Sequence, residues 1–215
     1  MIKIIEPSLE VIDKLPTEQE LFNKLGYCAG LAYDSKRDSD EANKKRVLMC
    51  IRNGHLSVLE HFNFTVVVTT DRATTHALVR HRHCAFTQQS TIYCKYDDCL
   101  TIIGRPHKDA IYDKDIPQWS DRDLEYYEEC HKQYLQSIAE GEPAGLARDA
   151  LPNCTATKIA ITTNLREWLW IAELRTDKAD STRMHTFAKQ IADVLKENYP
   201  SIYEAYTTCN MKIKE

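Results

Sequence analysis

Apolar positions along the chain recur at spacings of two in some stretches and of three or four in others, and the changes of period mark out the elements. Residues 2–5 (IKII) form a short apolar run stopped by Glu6-Pro7, which predicts an opening strand. A helix is expected from Thr17, and a second from about Asp40 through DEANKKRVLMCIRNG, where Val47, Leu48 and Ile51 share a face. Gly54 then supplies a left-handed residue at its end. Residues 62–70 (FNFTVVVTT) are β-branched and aromatic, the composition of a strand. Residues 72–82 (RATTHALVRHR) read as a helix ending at a basic cluster, and a polar loop follows. LTIIG at 100–104 predicts another strand, closed by Gly104-Arg105-Pro106, and the charged, proline-punctuated stretch 107–119 predicts an exposed loop.

Ser120 is placed to cap a helix through DLEYYEECHKQYLQSIAEG, with Leu124, Tyr127, His131, Tyr134 and Ile138 on one stripe and Gly141 as the stop. Residues 144–150 read as helical up to Leu151-Pro152, and 155–163 (TATKIAITT) alternate polar and apolar as a half-buried strand does. Asn164, three residues before Glu167, approaches a capping box opening the helix LREWLWIAELR. The last long helix, STRMHTFAKQIADVLKEN, carries Met184, Phe187, Ala188, Ile191, Val194 and Leu195 on a core-facing stripe, begins after Asp180 and stops before Pro200. No internal repeat interrupts this order. It predicts the α/β (α+β) class, a mixed central sheet covered by helices, in one domain over residues 1–215.

Composition narrows the class without changing the architecture. With 215 residues, 43% hydrophobic and 28% charged, the chain has the make-up of an ordinary globular protein. No window reaches the ~20 apolar residues of a membrane helix, and MIKIIEPSLE lacks the basic-then-apolar pattern of an export signal, so a cytoplasmic location is expected. The eight cysteines contain no C-x-x-C pair and read as reduced thiols. Cys94, Cys99, His83 and Cys84 are near one another, but in no standard zinc spacing, so no metal is expected.

The chemistry concentrates in arginines at predicted element ends: Arg80 and Arg82 flanking His81, Arg148 before Leu-Pro, Arg166 in a first helical turn and Arg175 in a last one. A single arginine is usually a solvated surface charge. Arg166, however, opposes its helix dipole, and an anion there, held with Asn164 and the free N–H groups of the turn, would relieve the conflict. The cations at 80–82 repel each other by roughly 1 kcal/mol per close pair in watery surroundings, which a multiply charged ligand removes. The ligand class expected is therefore phosphorylated. Nucleic acid fits poorly, since the net charge is −4 and no basic stripe appears. With six glycines and neither G-x-G-x-x-G nor G-x-x-x-x-G-K-[ST], backbone phosphate cradles are absent and arginines must serve. The element 54-GHLSVLEH-61 is not H-E-x-x-H, because its histidines are six apart. Ser90 has no local base and reads as a hydrogen-bonding group rather than a nucleophile.

Arg80-His81-Arg82 followed after seven residues by Ser90 resembles the signature of the flavin-dependent thymidylate synthases. GHLSVLEH resembles that family's Gly-His-x-Ser-x-x-Glu-His element, and ARDALP, NLREWL and ELR are similar to its later motifs, in order between about residues 28 and 190. The resemblance implies a homotetramer in which FAD and dUMP meet at subunit interfaces, with 5,10-methylenetetrahydrofolate as methylene donor, NADPH as reductant and dTMP as product. It implies small-molecule partners, with neither nucleic acid nor membrane. By position, His55, Ser57, Arg80, His81, Arg82, Gln88, Asn164 and Arg166 would bind FAD. Arg80, Gln88, Ser90, Arg148 and Arg175 would bind dUMP, with Arg175 the catalytic cation that stabilises charge on the N3/O4 side of the pyrimidine.

The chain departs from that pattern at several places. Ala77 stands where a Gln commonly contacts the nucleotide, Ile92 where an Arg usually does, and Gly30 where Arg is frequent. Ala85 replaces a common Ser, Trp170 a His or Asn, and 179-ADSTRM-184 only loosely resembles the Ala-Gln-x-Glu-Ile-Arg stretch. Lys95 is a candidate replacement for the cation missing at Ile92. These departures leave two other readings open: a flavoenzyme acting on a different pyrimidine nucleotide such as UMP, and a non-catalytic nucleotide-binding homologue.

Overall fold

The structure, a computed structural model, describes residues 1–34, 39–106, 116–176 and 182–213, with side chains to 209. Residues 107–115 of the expected loop and 179–181 of the 179–184 stretch lie outside the described residues. The strands form a four-stranded sheet in the order β2 (Ser8–Val11), β3 (Asn63–Asp71), β6 (Ala156–Asn164), β4 (Ala85–Gln88), and a separate pair, β1 (Ile2–Ile5) with β5 (Leu100–Ile103). The mixed α/β class expected from the sequence is the class found. Contacts divide the chain into two compact units, each assembled from three separate segments, and the division falls within β3 and β6.

The first unit comprises Met1–Glu10, Val67–Ile161 and Lys178–Phe187. Its two-stranded sheet is parallel, with Ile2 opposite Leu100 and Ile5 opposite Ile103, an arrangement that requires a long crossover rather than a hairpin. Helix α4 (Asp121–Ala139) is capped by Ser120 as expected, in a full capping box completed by Asp123, and Gly141 beyond it has φ 86°. Tyr134 from α4 packs with Tyr96, Leu100, Ile102, Ala147 and Cys154 into one buried cluster. The expected helix at 144–150 is a single turn, α5 (Ala144–Ala147), continued by a 3-10 turn Arg148–Ala150. Helix α3 is shorter than expected: Arg72–Leu78 rather than 72–82. Arg80 N and His81 N bond back to Ala77 O and Leu78 O, three residues away, which tightens and ends the helix before the basic cluster. The polar loop expected after it contains β4, an edge strand whose alternating exposure hides it in a polar sequence.

The second unit comprises Val11–Val66, Thr162–Asp177 and Ala188–Glu215. Helices α1 (Glu18–Gly30, capped by Thr17) and α2 (Asp40–Arg52, capped by Ser39) lie against each other, and Gly54 with φ 74° ends α2 as expected. Gly26 lets α1 approach α2: a Cβ there would stand 2.6 Å from Asn43 Cβ and 2.7 Å from its Cα. Gly26→Ala is therefore expected to destabilise the protein by about 1 to 3 kcal/mol, read as a lower urea midpoint with unchanged slope. Helices α6 (Leu165–Arg175), the second half of α7 (Thr182–Asn198) and α8 (Pro200–Ile213) complete the unit. Trp168 is fully buried, stacks on Phe64 at 5.2 Å and donates Nε1–H to Phe64 O at 3.2 Å. Helix α8 was not foreseen: Pro200 stops α7 as expected but also opens the next helix, where its missing N–H is no loss. The Glu18 carboxylate satisfies that turn, accepting from Ser201 N at 2.7 Å, Ser201 Oγ at 2.9 Å and Ile202 N at 3.3 Å.

Candidate active site

The residues singled out from the sequence fall into two sets, one in each unit. In the first unit, Asp71 caps α3 by accepting from Thr74 N at 2.6 Å, and its other oxygen lies 2.9 Å from Arg183 Nη1. Arg72 N and Ala73 N bond to Thr155 O and Asn153 O, pinning the start of α3 to the turn before β6. The chain leaving α3 presents Arg80 and Arg82 to solvent while His81 turns inward, only 6% exposed. Neither Arg80 nor Arg82 forms an ion pair with another described residue.

Past β4, Ser90 closes a turn: its hydroxyl oxygen accepts from Ile92 N at 3.1 Å and its carbonyl from Cys94 N at 3.0 Å. The neighbouring Thr91 is buried, and its Oγ1 accepts from Arg148 Nη1 at 3.3 Å. Two segments 57 residues apart thereby place a cation beside the Ser90 turn, a convergence expected only by resemblance. Gln88 is half-buried and donates from Nε2 to Thr75 Oγ1 at 3.0 Å and Thr157 Oγ1 at 3.3 Å. Ile92 is exposed near Gly145, and its apolar side chain supplies no cation there. Lys95 lines a cavity of about 400 Å³ with Gln89, Asp97, Asp98 and Lys158, among charges of both signs. Tyr96, at the same cavity, has its phenol pushed up by burial, with Arg72 opposing the shift.

In the second unit, His55 and Ser57 are exposed around the start of the 3-10 turn Leu56–His61. Asn164 caps α6 by accepting from Glu167 N at 2.9 Å. Arg166 Nη1 donates to Glu60 Oε1 at 2.6 Å, with both side chains about half exposed. The anion expected in that first turn is thus supplied by the protein itself, and the Asn164 oxygen is spent on the cap. At Arg166 the helix dipole therefore does not by itself call for a bound phosphate, because a carboxylate remote in sequence already relieves the conflict. Arg175 is half-buried in the last turn of α6. Sequence reasoning did not assign Thr75, Thr91, Thr157 or Glu60 to the site. Only Glu60, inside GHLSVLEH, carried a signal that could have found it. Among the described residues no group of three His, Cys, Asp or Glu gathers as a metal site, and no helix is long and apolar enough to cross a membrane.

The fold matches a known architecture. A UMP/dUMP methylase, PolB from Streptomyces cacaoi, solved with 5-Br dUMP, superposes with a TM-score of 0.77 at 19% identity, covering 96% of this chain and 97% of that one. The family model described as "Thymidylate synthase complementing protein" matches residues 10–201. Among curated relatives, the flavin-dependent thymidylate synthase of Synechocystis is 26% identical over 95% of this chain and 96% of its own. That of Corynebacterium diphtheriae is 27% identical over 92% and 82%, and a probable one from Paramecium bursaria Chlorella virus 1 is 23% identical over 94% and 97%. The chain belongs to this family of flavin-dependent, methyltransferase-type enzymes. The donors suit a flavin dinucleotide in part. Arg80 and Arg82 are exposed guanidinium groups with no carboxylate partner among the described residues, the state in which they fit phosphate oxygens. Arg166 fits only where a phosphate displaces Glu60 or shares its remaining donors.

Proposed function

We propose that this enzyme carries out the reductive methylation of dUMP to dTMP, using FAD, 5,10-methylenetetrahydrofolate and NADPH, as a cytoplasmic homotetramer whose subunits share active sites. The observation that carries the reading is the Arg148–Thr91 hydrogen bond, which brings a guanidinium to the Ser90 turn. Arg148 and Ser90 hold the nucleotide phosphate, the arginine by its remaining donors and the serine by its hydroxyl hydrogen, since its oxygen already serves Ile92 N. Arg80 and Gln88 complete the nucleotide contacts, and His55, Ser57, Arg80, His81, Arg82, Gln88, Asn164 and Arg166 hold FAD. When bound, the flavin supplies hydride to the pyrimidine, so no enzyme nucleophile is required of Ser90. Arg175 stabilises the negative charge that develops on the N3/O4 side of the ring.

The purified protein is expected to carry a flavin absorption band and to release tritium from 5-labelled dUMP when given methylenetetrahydrofolate and NADPH. A protein with neither signal would not be this enzyme. A second reading, UMP as substrate, is favoured by the apolar Ile92 where the family commonly has a cation, and by the name of the structural neighbour as a UMP/dUMP methylase. Turnover measured on dUMP and UMP side by side separates the two, and a strong dUMP preference removes the second.

A further inference from the structure

Gln88 ends β4, the edge strand beside β6, and both hydrogen bonds recorded for its side chain run from the amide nitrogen. The acceptors are Thr75 on α3 and Thr157 on β6, with exposures of 0% and 1%. Thr75 decides the orientation. Its Oγ1 donates to Arg72 O at 2.9 Å, and a hydroxyl has a single hydrogen, so towards Gln88 it can only accept. The NH2 end of the amide satisfies that; the carbonyl end does not. Reversing the amide would set two oxygens face to face unless Thr75 gave up Arg72 O. Gln88 Oε1 is left with no partner among the described residues, on a side chain that stays partly exposed.

We propose that Thr75 is a positioning residue for nucleotide recognition. It locks the Gln88 amide with Oε1 outward, so that this position reads a hydrogen-bond donor on the ligand, a sugar hydroxyl or the uracil N3–H, and rejects a phosphate oxygen. The inference rests on the assignment of Gln88 to the nucleotide site given above. It also sharpens it: with its nitrogen held by the two threonines, Gln88 serves the nucleotide's sugar or base and not any phosphate group.

The test measures binding of dUMP, UMP, 2′,3′-dideoxyuridine monophosphate and N3-methyl-dUMP by calorimetry to the full-length wild type, Thr75→Val, Thr75→Ser and Gln88→Leu, with thermal melting of each. In the wild type one analogue is expected to bind roughly ten times more weakly than dUMP, about the worth of one good hydrogen bond, and which analogue it is identifies the donor. Thr75→Val is expected to shrink that penalty below about threefold by releasing the amide, Thr75→Ser to restore it, and Gln88→Leu to abolish it. Because Gln88 is partly exposed, Gln88→Leu keeps the test decisive even where Thr75→Val melts early. A wild type indifferent to both analogues, or a penalty that survives in Thr75→Val or in Gln88→Leu, overturns the proposal. A wild type that binds neither dUMP nor UMP overturns the functional reading itself, and this inference with it.

Discussion

Replacing Arg175 by alanine is expected to lower kcat roughly 100- to 1000-fold, the usual effect of removing one fixed group that meets charge developing in a transition state. The side chain is half-buried in the last turn of α6, where the helix's own carbonyl ends favour a cation and the backbone is rigid. In the proposed role, a guanidinium so held would not need to reorganise as charge appears on the pyrimidine. The loss should therefore appear in kcat more than in the KM for nucleotide, and the flavin band of the purified variant should match that of the wild type. Arg175→Lys keeps the charge but not the planar pair of donors, and is expected to recover only part of the rate. A variant with wild-type turnover would remove Arg175 from the chemistry, whereas one that has lost its flavin would show a binding role instead.

Asp71→Ala is expected to destabilise the protein by about 3 to 5 kcal/mol, because it strips a buried partner from Arg183 and leaves that cation uncompensated. Asp71 is 0% exposed and serves two masters: one oxygen caps α3 through Thr74 N, and the other faces Arg183 Nη1. Arg183 is itself fixed by donating Nη2 to Ile103 O at 3.4 Å and by lying 5.5 Å from the centre of the Trp119 ring. A drop in Tm of roughly 10 °C is expected for a chain of this size. Asp71→Asn retains a capping oxygen but turns an amide NH2 towards the Arg183 guanidinium, so it is expected to recover only the capping part of the loss and to melt between the two. Equal melting of all three proteins would show that the pair contributes nothing to stability. Since α3 leads directly into Arg80-His81-Arg82, the alanine variant should also weaken flavin binding at temperatures where it remains folded.

Much of this protein is local in origin. Thr17, Ser39, Ser120 and Asn164 each cap the helix that their position ahead of an apolar stripe implies, because capping needs only a side chain and N–H groups two or three residues on. Gly54 and Gly141 adopt positive φ for the same local reason. The long strands β3 and β6 were legible because alternation and β-branching suit a sheet with one side more buried. The arginine-rich motifs carry the resemblance to the family to which the chain belongs.

What the residues next to each other in the chain could not express was decided by tertiary structure. β4 is polar enough to read as loop, and becomes a strand only because β6 offers it a partner. Pro200 reads as a stop and becomes a start because Glu18, remote in the chain, accepts from the turn it opens. Arg166 reads as a cation waiting for phosphate, and the fold sets Glu60 within 2.6 Å of it; Gln88 carries an amide with a donor and an acceptor end, and the fold sets the buried Thr75 hydroxyl 3.0 Å from its nitrogen. In each case the sequence by itself named the polar group and its capacity to bond. Which partner fills that capacity depends on what the fold brings within about 3 Å, and hydrogen bonds are too short-ranged and directional for a linear pattern to report it.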